Sequence, residues 1–221
     1  LVAARSELDR SRRLLVDSAA GPFATPGASP LCLDIGSLPA HWDLALRLRG
    51  TPWLGSTLPG GDFEDLGHMV RSGWRNDRWA ATGEEVSIEL TTEAAHGGNM
   101  ALRVRTSGPA TPPVPGIDAA TVRLTSPEVR VEASHVARIH GWIRAVPGDS
   151  QRPLKIWIED SLGGSRLGRW LTIRPGEWQE FTSYRGAFDT SPLTVTIDIQ
   201  GYGEVLIDDL TVHTALPTGR R

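Results

Sequence analysis

Two stretches of this 221-residue chain interleave aromatic and ionisable side chains with apolar ones. In VARIHGWIRA, residues 136–145, Arg138, His140, Trp142 and Arg144 alternate with Ala137, Ile139, Gly141 and Ile143. In PLKIWIED, residues 153–160, Lys155, Trp157 and Glu159 alternate with Leu154, Ile156 and Ile158. A period of two places each set on one face of a strand. The face bearing the tryptophans would combine flat apolar rings with cations, an imidazole and a carboxylate. That mixture suits a polyhydroxylated ligand, with rings covering its C–H surface and polar groups taking its hydroxyls. The candidate ligand-binding set is therefore Arg138, His140, Trp142, Lys155, Trp157 and Glu159. It requires the two strands to be neighbours. The rival expectation is that residues 21–59 or the 161–170 loop cover both rings, because bare tryptophan is costly at roughly 25 cal/mol per Å².

Acids at the two ends of the same region form a second candidate. Glu64 lies in GGDFED and Asp208 in GEVLIDDLTV, while AHGGN, residues 95–99, offers flexible carbonyls. Calcium takes six to eight oxygens from such groups. A cation in that cage would be structural. Asp208 and Asp209 are adjacent, hence on opposite faces of a regular strand, which argues against a shared acid/base role. The histidines show no HxH or HExxH spacing, so no zinc site is expected. No nucleophile elbow is present. Arg138 and His140 could pose as charge neutraliser and base of a polysaccharide lyase or hydrolase, but no lyase motif accompanies them. The chain is read as a non-enzyme.

The elements that must position these residues are strands. From Asp62 onward ALRVR, TVRLTS, VARIHGWIRA, PLKIWIED, PLTVTIDIQ and EVLIDDLTV alternate or are rich in β-branched residues. Gly- and Pro-containing separators stand between them. No helical pattern intervenes, which excludes a parallel α/β sheet. The expected fold is all-β, one antiparallel β-sandwich over 60–213 whose first and last strands lie together. Leu193, Val195, Ile197 and Ile199 join the inward set, with Thr194, Thr196, Asp198 and Gln200 outward. Most of the eight tryptophans are expected in the core, with Trp74, Trp79, Trp170 and Trp178 plugging it or its ends. Residues 1–59 form a separate N-terminal packing segment. It carries a helix at 1–19 and another at 38–48, where alternation of Trp42, Leu44, Leu46 and Leu48 also permits a strand. Residues 107–116 read as a Pro-rich loop and 214–221 as a disordered tail.

Composition bounds the partners. The 23 Lys and Arg nearly balance the 26 Asp and Glu, so the chain has no global basic bias and nucleic acid is not the expected main partner. No apolar run reaches the ~18 residues of a membrane span. Cys32 is the single cysteine, so neither an intrachain disulfide nor a cysteine-based metal site is available. The chain begins at Leu1 without a signal-like segment and reads as the C-terminal piece of something longer.

The order GGDFED, SGW (72–74), AAHGGNMALRVR (94–105), a V-x-V strand (129–131), GEWQEF (176–181), LTVTIDIQG (193–201) and IDDL (207–210) resembles the galactose-binding-like jelly rolls. In particular it resembles bacterial carbohydrate-binding modules of the xylan- and cellulose-binding kind. The resemblance covers residues 60–213. It implies a jelly roll and a non-catalytic role in a secreted or cell-surface protein. It also implies polysaccharide and the upstream domains of the parent protein as partners. It further implies a structural calcium ion held by Glu64 and Asp208, with carbonyls from His96 to Asn99. A docking module of the same fold, packed on its parent and binding no sugar, is the alternative.

Overall fold

The computed structural model describes residues 53, 55–80, 82–108, 121–148 and 153–216. The helices expected at 1–19 and 38–48, and most of the Pro-rich loop, lie outside the described residues. Trp53–Ala215 form one compact unit. Its elements are α1 (Leu66–Ser72), β1 (Arg75–Trp79), β2 (Glu85–Thr91), β3 (Ala101–Ser107), β4 (Thr121–Thr125), β5 (Val129–Val131), β6 (Val136–Pro147), β7 (Lys155–Asp160), β8 (Arg169–Trp170), β9 (Trp178–Gly186), β10 (Ser191–Leu193), β11 (Val195–Gln200) and β12 (Gly203–Ala215). No helix among the described residues is long and apolar enough to cross a membrane.

The strands form the expected antiparallel jelly-roll sandwich. One sheet has the order β1-β4-β11-β7-β8 and the other β2-β3-β12-β6-β9, with β10 and β5 pairing as a short ribbon. The alternation read from the sequence sets the register. Ala137, Ile139, Ile143, Leu154, Ile156, Ile158, Leu193, Val195, Ile197 and Ile199 are all buried between the sheets. Phe63 and Phe181 are the largest wholly buried side chains. Gly141 makes room for Phe181, since a Cβ there would stand 2.9 Å from its ring and 3.0 Å from Leu210 Cδ1.

The tryptophans depart from expectation. None of the seven described, Trp53, Trp74, Trp79, Trp142, Trp157, Trp170 and Trp178, is buried. Branched aliphatics and two phenylalanines fill the space between the sheets, and most of the indoles stand on outward faces or strand ends. Trp74 is half-buried against Phe63, their ring centroids 5.2 Å apart, so it alone of the four assigned to plugging packs on the core.

The two ends of the sandwich region meet, though not as paired strands. Thr57 N–H donates to the Val212 carbonyl at 2.9 Å and Leu210 N–H to the Gly61 carbonyl at 2.8 Å. Residues 57–65 nevertheless form no strand, so Glu64 lies in an irregular approach to α1. That helix was not anticipated. Asp65 caps it by accepting from His68 N–H at 3.0 Å, and Gly73 ends it in the left-handed region at φ 98°. Seven residues are too few to show a helical period.

Candidate functional site

The six residues expected to share one face are divided between two. β6 belongs to the second sheet and β7 to the first, so Arg138, His140 and Trp142 face one side of the sandwich and Lys155, Trp157 and Glu159 the other. These two strands follow each other in the sequence yet lie in different sheets, which local alternation does not report.

On the second sheet, the outer face is closed by the chain itself. Trp142 lies opposite Asp208 on β12 and Glu180 on β9. The imidazole of His96 stacks on Trp142, centroids 4.0 Å apart and planes at 17°. Trp178 meets the same imidazole edge-on at 5.5 Å. His96 Nδ1 is 2.7 Å from Asp209 Oδ2. At the other end of β6 the Arg138 guanidinium lies 5.0 Å over the Trp53 ring, which also packs on Tyr184 at 6.0 Å. His140, between them, contacts Thr182 Oγ1 at 3.2 Å and Glu180 Oε1 at 3.3 Å. Burial holds its imidazole below the usual histidine range, against the pull of Glu180.

The outer face of the first sheet is more open. Its cross-strand rows follow from the register. One row runs Asp77, Arg123, Asp198, Trp157, Trp170, and the next runs Trp79, Thr121, Gln200, Lys155. Trp79 on the edge strand β1 is 52% exposed and Trp170 on the opposite edge strand β8 is 54% exposed. Four strand spacings separate those edges, roughly 19 Å. Between them Arg123 binds Asp198 through two parallel bonds, both 2.7 Å, and reaches within 6.0 Å of the Trp79 ring centre. The bond to Asp198 raises the Arg123 pKa, which favours the charged guanidinium.

Trp157 is half-buried. Its Nε1–H donates to Glu159 Oε2 at 3.0 Å, its ring packs on Trp170 at 5.0 Å, and a Cβ at Gly168 would collide with it. The 161–170 loop thus covers part of this ring, one of the two covers anticipated. Trp79 and Trp170 were missed as surface residues. Each sits at a sheet edge, and β8 has only two residues. The sequence signal for Trp79 is its place in RNDRW, where alternation puts it on the side of Arg75 and Asp77.

The expected calcium residues hold one loop from its two ends. Glu64 Oε1 accepts from Asn99 N–H at 2.6 Å and Met100 N–H at 3.0 Å. Asp208 Oδ2 accepts from His96 N–H at 2.7 Å and Gly97 N–H at 3.1 Å, and its Oδ1 from Asp209 N–H at 2.8 Å. Burial raises the Asp208 pKa, opposed by those three N–H bonds. Calcium needs six to eight oxygens. Here the loop turns N–H groups toward the carboxylates, and no cluster of three or more Asp, Glu, His or Cys side chains suited to a metal occurs among the described residues. The donor set falls short of a calcium cage. The strand is also irregular at this point. A register shift between Asp208 and Thr211, with Asp209 at φ 48°, lets both aspartates reach His96, one through its backbone and the other through its ring. The expectation of opposite faces held only for a regular strand.

No protein-family model and no curated protein matches the chain. Solved structures do. The module TmCBM61, solved in complex with β-1,4-galactotriose, is similar with a TM-score of 0.46 at 20% identity, over 71% of this chain and 97% of that one. The C-terminal family 22 carbohydrate-binding module of Clostridium thermocellum Xyn10B gives 0.43 at 14% identity, over 75% and 98%. The enzymatically active domain of bacteriophage CBA120 tailspike protein 4 gives 0.50 at 9% identity, over 71% of this chain and 21% of that one. At these identities the likeness is one of fold.

Proposed function

We propose that the chain is a non-catalytic carbohydrate-binding module of a larger secreted or surface protein. Its ligand lies on the outer face of the β1-β4-β11-β7-β8 sheet. The observation that carries this reading is the pair of half-exposed indoles, Trp79 and Trp170, at opposite edges of one polar sheet face. An exposed indole offers a flat surface to the C–H side of a sugar ring. Thr121, Gln200 and Lys155 share the Trp79 row and supply donors and acceptors for hydroxyls. The Arg123–Asp198 pair fixes the floor between the edges. The opposing sheet, where His96 and Trp53 already occupy the outer face, is the weaker candidate.

A shallow open face without deep enclosure favours affinities of roughly micromolar to millimolar. Affinity electrophoresis against a polysaccharide panel tests the reading. The panel includes β-1,4-galactan, after the β-1,4-galactotriose bound in TmCBM61, and xylan, after a similar structure described as a xylan-binding domain. Retardation on at least one polymer, lost in both Trp79→Ala and Trp170→Ala and kept in Trp142→Ala, is the expected result. Free migration on every polymer would favour the docking alternative.

A further inference from the structure

We propose that the Trp170 end of the ligand face continues into a separate subsite for an aromatic ester group carried on the polysaccharide. The inference rests on the ligand face assigned above and adds a chemical class of substituent to it. After Trp170 the chain leaves the sheet. Leu171 N–H makes a last bond to the Ile156 carbonyl at 2.9 Å, and Gly176 N–H then bonds the Ala145 carbonyl on the other sheet at 2.9 Å. The segment between them spans the sandwich edge and leaves a hollow of about 420 Å³, lined by Leu154, Lys155, Trp170, Leu171 and Ile173.

That volume falls within the usual range for small-ligand sites, as does a mostly apolar lining with few polar groups. Leu154 is the buried floor, while Leu171 and Ile173 pack against the core from the side. Trp170 and Lys155 belong both to the hollow and to the sheet face, so a glycan on that face has a path for a side group. An unsubstituted sugar would bury hydroxyls against leucine and isoleucine, which costs free energy without partners. An aromatic acyl group suits the lining better. Its ring would pack on Trp170 and the aliphatic side chains, and its ester or phenolic oxygens would accept from the Lys155 ammonium, the one charged group among the described lining residues.

The test uses methyl 4-hydroxycinnamate as a sugar-free probe. It is titrated into the chain while the methyl resonances of Leu154, Leu171 and Ile173 are followed by NMR. Saturable shifts confined to these methyls and the Trp170 indole are expected. They should weaken about five- to tenfold in Lys155→Ala or Trp170→Ala. Trp79→Ala should leave them unchanged. In parallel, a feruloylated arabinoxylan and its saponified counterpart are compared by affinity electrophoresis. Probe shifts without retention of any polysaccharide would keep the hollow as an aromatic-ester site and sink the glycan face. Retention of a polysaccharide with no probe shifts at these methyls, and no effect of saponification, would overturn the subsite and leave the glycan face standing.

Discussion

His96 lies flat on Trp142, their ring centroids 4.0 Å apart. The contact pins residues 94–100 over the second sheet, and Asp208 and Asp209 grip His96 by its backbone and its ring. Removing the imidazole should therefore uncover Trp142 without disturbing the other face. His96→Ala is expected to red-shift tryptophan emission and raise quenching by acrylamide, with polysaccharide retention unchanged. Unchanged quenching would mean that something besides His96 covers the indole.

Asp208 should matter through its hydrogen bonds. It is wholly buried, and its two oxygens together accept three backbone N–H bonds. In Asp208→Asn one oxygen becomes an NH₂ group that faces N–H donors. A loss of about 1–3 kcal/mol is expected from urea unfolding. Calcium should leave the melting temperature where it is, because the carboxylates are already committed to amides. A rise with calcium, reversed by chelator and absent in Glu64→Gln, would show that the loop can turn its carbonyls inward and form the cage.

His140 sets a pH dependence. Burial lowers its folded pKa from the ordinary 6.5, with Arg138 and His213 adding to the effect and Glu180 and Asp209 opposing it. The unfolded chain then binds this proton more readily than the folded one. The His140 contribution is present above pH 6.5 and declines as the pH falls below it toward the folded value. His140→Gln should flatten the stability profile in that window. A mutant profile parallel to wild type between pH 7 and about 5 would remove His140 as the source.

Ile156 lies on the inward face of β7, beside the outward Lys155 and Trp157. Ile156→Ala should cost about 2–5 kcal/mol, read as a lowered urea midpoint at constant slope. Lys155→Ala, one position away on the exposed face, should change stability by less than about 0.5 kcal/mol. Equal effects at the two positions would contradict the register.

Alternation was enough to assign the fold class and the buried set. A strand with one face in a core must place a side chain inward at every second position, so Ile139, Ile156, Val195 and Ile197 declare themselves locally. The same period marks Arg138, His140, Trp142, Lys155, Trp157 and Glu159 as outward. It does not say toward which outside. β6 and β7 are consecutive in the chain yet lie in different sheets, because strand order depends on pairing between distant segments. The proposed binding face was decided there, by β4 and β11 coming between β1 and β7 and so bringing Trp79, Gln200 and Trp157 to one surface. Tertiary packing also decided the exceptions. Asp198 is outward in pattern but buried, because Arg123 from the neighbouring strand covers it. Asp209 leaves its strand's alternation, because a bulge turns it toward His96, more than a hundred residues away in the chain. Periodicity is a property of one strand and its solvent. A site assembled from several strands is set by pairings, bulges and covering loops that no single segment encodes.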